Sequence, residues 1–171
     1  MSESTREIRT RPVDAAVDET FLFELYASTR DDLPMLDPPQ RDALMRMQFS
    51  AQNNGYGAQY PGAEHDLILF EDRPVGRMIV LRSESEIVFV DLAILPEYRS
   101  RGIGTQMIMD RIAEAESSNR ILTFHALKSN RAIGLYLRLG CEISGENAAY
   151  YLFEWKPKPQ GAQSAIAEEF K

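Results

Sequence analysis

One cysteine, Cys141, and two histidines, His65 and His125, are the whole supply of soft or imidazole ligands in this chain of 171 residues. A lone cysteine cannot build an internal disulfide framework. A cysteine-based zinc site needs several, and two histidines far apart add little. The expectation is a metal-free protein of a reducing, cytoplasmic compartment. Long apolar runs are also missing: nothing approaches the roughly 18 residues of a membrane span, and the first residues, Met1-Ser-Glu-Ser-Thr-Arg6, lack the apolar core of an export signal. Basic charge is scarce, with 19 Lys and Arg against 26 Asp and Glu, a formal charge of -7 and a pI near 4.9. That balance excludes general affinity for nucleic acid or anionic membranes, both of which need a surplus of cations. Internal repeats and low-complexity runs are absent too.

What is present is enough for one domain with a sizeable core, since 44% of the residues are apolar. The chain is organised around an apolar strand, Glu86-Ile-Val-Phe-Val-Asp-Leu-Ala-Ile-Leu95, which runs through Pro96-Glu-Tyr98 into Arg99-Ser-Arg-Gly-Ile-Gly104 and an amphipathic helix. Gly102 and Gly104 allow close backbone approach. The first amides of a helix from about residue 103 have no intrahelical acceptors, so the turn suits a phosphate.

Upstream, Ile8-Arg-Thr-Arg-Pro-Val13 reads as a short strand, and Asp14 or Asp18 can cap a helix bearing Phe21, Leu22, Leu25 and Tyr26, closed by Asp31-Asp-Leu-Pro34. A second helix begins at Asp37-Pro-Pro39 and is expected to break near Asn54-Gly55. Leu67–Phe70 and Val75–Leu81 form a hairpin turning at Asp72-Arg-Pro, and the organising strand continues the meander. After the helix with Ile103, Met107, Ile108 and Ile112 on one face, Ile121–Leu127 reads as a buried fifth strand parallel to the fourth. Asn130 starts a further helix that stops at Gly140, residues 141–145 and 149–155 supply two closing strands, and Lys156-Pro-Lys-Pro ends the compact part.

The order of elements, Arg99-x-x-Gly102-x-Gly104, and the downstream Asn130-x-Ala132-x-x-x-Tyr136-x-x-Leu139-Gly140 together resemble the GNAT superfamily of N-acetyltransferases over nearly the whole chain. The resemblance implies an α/β (α+β) fold. A single domain over 7–156, between a flexible 1–6 and a tail of 157–171, would hold a mixed, mostly antiparallel sheet of six to seven strands. About four helices would flank it, with strands four and five splayed. It implies acetyl-coenzyme A as cosubstrate, its pyrophosphate on Arg99, Ser100, Arg101, Gly102, Ile103, Gly104 and Thr105. The backbone at Leu92 and Ile94 would line its pantetheine arm, Asn130 would help to place it, and Tyr136 would protonate the departing thiolate. Cys141 departs from the family, which usually has Phe there.

Acetyl transfer from a thioester to an amine also needs a proton acceptor. Glu86 and Asp91 on the organising strand, His125 on its neighbour, or a water chain can serve. Asp91 is the foremost candidate, because a carboxylate inside an apolar strand must be solvated, hydrogen-bonded or catalytic. The aromatic and amide-rich end of the second helix, with Gln52, Tyr56 and Tyr60, and Tyr151 on the last strand suit an acceptor pocket for a small-molecule or peptide amine. Tyr150-Tyr-Leu-Phe-Glu-Trp155, read as lying near a sheet edge, suggests a homodimer. The reading opposed to an enzyme is an acyl-coenzyme A-binding regulatory module without turnover.

Overall fold

The computed structural model describes residues 7–30 and 35–159. Its elements are β1 (Ile8–Pro12), α1 (Ala15–Ala27), α2 (Pro38–Gln59), β2 (Glu64–Phe70), β3 (Arg73–Arg82), β4 (Glu86–Ile94), α3 (Ile103–Ser118), β5 (Ile121–Leu127), α4 (Ile133–Arg138), β6 (Glu142–Glu146) and β7 (Tyr150–Trp155). One seven-stranded sheet has the order β1-β2-β3-β4-β5-β7-β6, mixed because β4 and β5 are parallel. This is the α/β architecture expected from the sequence. Asp31–Pro34, expected to close α1, and residues 160–171 of the expected tail lie outside the described residues.

The chain forms two compact units, one holding the chain through Arg82 with Phe89–Met107, the other Ser83–Val88 with the chain from Ile108. In the first, β1, β2 and β3 pair antiparallel, and the β2–β3 turn is made by Glu71 and Asp72, both at positive φ. Two successive residues of that kind give the twist a tight hairpin requires. Leu67 on β2 packs with Leu22 and Tyr26 of α1 and Phe49 of α2, and the Phe49 ring meets Phe23 edge-on at 5.7 Å. Apolar side chains at helical spacing thus seat α1 and α2 on the face of the sheet that carries Leu67.

Two aspartates start α1. Asp14 is its N-cap, accepting from Ala16 N at 3.0 Å. Asp18, only 4% exposed, takes both Arg11 guanidinium nitrogens at 2.7 Å and Asp14 N at 2.8 Å. α2 departs from expectation: it passes Asn54-Gly55 and ends only at Gln59, with Tyr60 N bonded to Tyr56 O at 2.8 Å. A helical glycine costs about 1 kcal/mol, less than is gained by holding the Gln52, Asn53 and Tyr56 face against the sheet.

In the second unit, β7 lies between β5 and β6 and pairs antiparallel with both. The strand expected near an edge as a dimer surface is therefore covered on both flanks. The β6–β7 hairpin folds outward and makes β6 the edge. Opposite residues Phe124 and Phe153 stack at 5.2 Å, and Tyr136 of α4 meets both rings edge-on at 4.9 and 5.3 Å.

The Arg11 hydrogen bond, working against burial, holds the Asp18 carboxyl below the usual carboxylate range. A carboxyl depressed in the folded state contributes stability above its unfolded pKa of about 3.9 and loses it as pH falls through the folded value. Asp18→Asn should lower stability at neutral pH by about 2 kcal/mol, the scale of hydrogen bonds to a charged group. Denaturant titration across pH should show the gap to wild type closing below about pH 4; a gap independent of pH would mean the ion pair does not contribute.

Candidate active site

The organising strand delivers the first part of the site within the first unit. β4 ends at Ile94, a short 3-10 turn spans Pro96–Tyr98, and Arg99 turns back to donate its Nε to Ile94 O at 2.9 Å. Ser100 (φ 59) and Gly102 (φ 82) then bend the chain into α3. The first helical hydrogen bond of α3 runs from Gln106 N to Gly102 O. The amides of Ile103, Gly104 and Thr105 therefore precede any intrahelical acceptor, which makes them anion donors. Ile103, buried, anchors the helix start, and the Leu92 and Ile94 side chains lie 3.6 Å from where a Gly104 Cβ would stand. Thus the side chains of Leu92 and Ile94 are packing under the turn. The Arg101 guanidinium lies 5.2 Å from the Tyr98 ring centroid.

A polar cluster occupies the α2-facing side of the same unit. Arg77 of β3 donates Nη2 to Asp91 Oδ2 at 2.7 Å and Nη1 to Asn53 Oδ1 at 3.4 Å, while its Nε has no partner among the described residues. The side chain of Arg77 is 6% exposed and that of Asp91 23%. Tyr56 lies in the field of the Asp91 carboxylate, and the Arg77 guanidinium lies 5.7 Å from the Tyr56 ring centroid. Burial first, then the Asp91 charge, pushes the Tyr56 phenol up to about 12, against the pull of Arg77. His65 of β2 belongs to the same field: burial, then Arg77, lowers its pKa, with Asp91 and Asp66 opposing. Gln52 has a buried Oε1 without a partner, and Tyr60 accepts from Gln59 Nε2 at 3.3 Å.

Sequence reasoning named Asp91, Gln52, Tyr56 and Tyr60, and the structure groups Asp91 with Tyr56. It missed Arg77, Asn53 and His65. The overlooked signal was a single cation inside Val75–Leu81, the opposite number of the single anion inside Ile87–Leu95.

The second unit holds further candidate residues. Asn130 Oδ1 accepts from Ala132 N at 2.9 Å, capping the turn into α4. Tyr136 is 9% exposed, and burial raises its pKa while the nearby Asn130 side chain lowers it. Tyr151 packs edge-on against Phe153 at 6.2 Å beneath Lys128, whose Nζ is 5.0 Å from the ring centroid. His125 pairs with Leu152 and so faces the side of β5 and β7 opposite to Phe124, Phe153 and Tyr136. There it lines a cleft of about 190 Å³ with Glu146 and Tyr150. Glu86 is tied to Thr123 Oγ1 at 2.7 Å.

Residues 62–142 match the acetyltransferase (GNAT) domain family. The chain's fold is similar to that of the PaiA N-acetyltransferase from Thermoplasma acidophilum in complex with coenzyme A (12% identity, 88% of this chain and 99% of that one, TM-score 0.63). It is also similar to the ribosomal-protein-S18-alanine N-acetyltransferase from Escherichia coli (14%, 91% and 97%, TM-score 0.62). A third neighbour is the histone acetyltransferase HPA2 and related acetyltransferase from Corynebacterium glutamicum (19%, 91% and 98%, TM-score 0.63). No curated protein matches the sequence. Among the described residues no helix is long and apolar enough to cross a membrane, and no group of three or more His, Cys, Asp or Glu stands together as metal ligands.

Cys141, buried beside the Tyr136 cluster, has its thiol pushed up to about 11 by burial. Since the thiolate is the reactive form, native protein at pH 8 should react with a disulfide reagent roughly 10²-fold or more slowly than denatured protein. Equal rates in a thiol titration would place Cys141 at the surface.

Proposed function

We propose that the chain is an N-acetyltransferase that moves an acetyl group from acetyl-coenzyme A directly onto a primary amine of a small molecule or peptide, in a ternary complex. The observation that carries this reading is the Arg99–Thr105 turn, with two positive-φ residues and three amides ahead of the first helical hydrogen bond. Those amides and Arg99 and Arg101 suit a pyrophosphate, and the backbone of Leu92 and Ile94 is assigned to the pantetheine arm.

In the step itself, the amine nitrogen attacks the thioester carbonyl carbon, a C–N bond forms, and the C–S bond breaks. The coenzyme thiolate takes the phenolic proton of Tyr136, which solvent restores, and the amine proton leaves to Asp91 or to water. Burial keeps the Tyr136 phenol protonated at neutral pH, and the nearby Asn130 side chain offsets part of that rise. The ring sits between Phe124 and Phe153, so its orientation is fixed by packing. Gln52, Tyr56, Tyr60 and Tyr151 are assigned to the acceptor.

The competing reading, a binding module without turnover, shares the coenzyme site and differs in amine-dependent thiol release. Calorimetry with acetyl-coenzyme A and a thiol-release screen over amino acids, diamines and peptide N-termini test both. Gly102→Val has open space for its side chain but a φ that a branched residue resists. It should fold and lose coenzyme binding. Tyr136→Phe should bind the coenzyme as wild type does and turn over roughly 10²-fold more slowly. Normal binding by folded Gly102→Val, or a wild-type chemical step in Tyr136→Phe, would overturn the assignment.

A further inference from the structure

We propose that Arg77 is a positioning residue for acetyl transfer: it fixes the Asp91 carboxylate that receives the acceptor's ammonium proton. This rests on the acetyltransferase reading above and deepens its acceptor side.

Arg77 stands in the middle of an apolar strand, and its side chain is almost wholly buried. A buried ion pair is weak as a stabiliser, because desolvating the two charges offsets most of their attraction, and apolar residues of similar volume often serve the core as well. Core packing therefore does not account for Arg77. Position does. Arg77 lies beneath and Asp91 is the member of the pair that solvent reaches, at 6% against 23% exposure. The 2.7 Å contact to Asp91 is a full charge-assisted bond, whereas the 3.4 Å contact to Asn53 is at the limit of one. Asp91 is thus held by a donor from the neighbouring strand, Arg77 on β3. A carboxylate bonded to a buried, fixed guanidinium loses much of its rotational freedom, which orients its exposed edge.

The location suits the chemistry. Asp91 precedes Leu92 on β4, and alternation along the strand puts the two side chains on opposite faces. The face of Leu92 and Ile94 supports the anion-binding turn through Gly104, which leaves the Asp91 face to the acceptor. An alkyl amine with a pKa near 10 arrives protonated at neutral pH and must lose a proton before it can attack. In the proposed step an ammonium N–H proton passes to the free Asp91 oxygen and on to water, and the freed lone pair forms the C–N bond.

Two measurements test this, one of them without turnover. The chain has only two histidines, so ring NMR resolves His65 with His125 as internal reference. The charged groups acting on His65 are Arg77, Asp91 and Asp66. Arg77→Met should raise the His65 pKa toward 6.5, and Asp91→Asn should lower it further. No movement in either variant would mean the cluster is not assembled as described, and would overturn the proposal. In kinetics with an amine found by the screen, Arg77→Met should lower kcat roughly 10²-fold, as for a misplaced catalytic group, with acetyl-coenzyme A affinity unchanged and partial recovery in Arg77→Lys. In an Asp91→Asn background the same substitution should cost less than about 3-fold. Effects that add independently of Asp91 overturn the positioning role. A wild-type protein that releases no thiol with any amine, while His65 responds as expected, overturns the acetyltransferase reading instead.

Discussion

Three backbone amides that no helix can pair set the plan of the first unit. For Ile103, Gly104 and Thr105 to face a ligand, the chain must leave β4 and enter α3 within a few residues, and that requires left-handed backbone at Ser100 and Gly102. Such a conformation costs a non-glycine residue about 1 kcal/mol or more. It persists because both ends of the turn are held: β4 is fixed in the sheet, and Ile103 is buried at the helix start. The apolar residues Leu92, Ile94 and Ile103 thus serve two purposes, filling the core and aiming unpaired donors.

Most of this plan was legible in the sequence, because its signals are local. β5 was expected at Ile121–Leu127 and runs over those residues; the meander of β2, β3 and β4 follows from three apolar runs separated by short turns. The end of α2 was not legible. Asn54-Gly55 reads as punctuation, yet the helix runs through it and on past Gly57, since the face with Gln52, Asn53 and Tyr56 is held by the sheet below. Local propensity differs by about 1 kcal/mol per glycine, and tertiary contact outweighs it.

The polar cluster was half legible for a different reason. Asp91 announces itself as a lone anion in an apolar strand, and a lone buried charge implies a partner without naming it. Arg77 is fourteen residues away in sequence and on the next strand, so only strand pairing discloses the match. His65, read in isolation, seemed to add little; its meaning comes from the field of Arg77 and Asp91, which no spacing rule encodes. Sites built from side chains on separate strands are generally of this kind.

In the second unit, alternation along β5 and β7 separates two candidates that the sequence left side by side. His125 faces away from the aromatic cluster, whereas Tyr136 is packed into it. A buried phenol is a weak acid for a thiolate whose parent thiol has pKa near 8.5; with an ordinary phenol near 10, full transfer is uphill by about 2 kcal/mol, and burial adds to that. Asn130 supplies a partial offset, lowering the Tyr136 pKa against the rise that burial causes. The same side chain accepts from Ala132 N at 2.9 Å and caps the turn into α4, so one asparagine links the local rule for beginning a helix to the acidity of a phenol packed six residues further on.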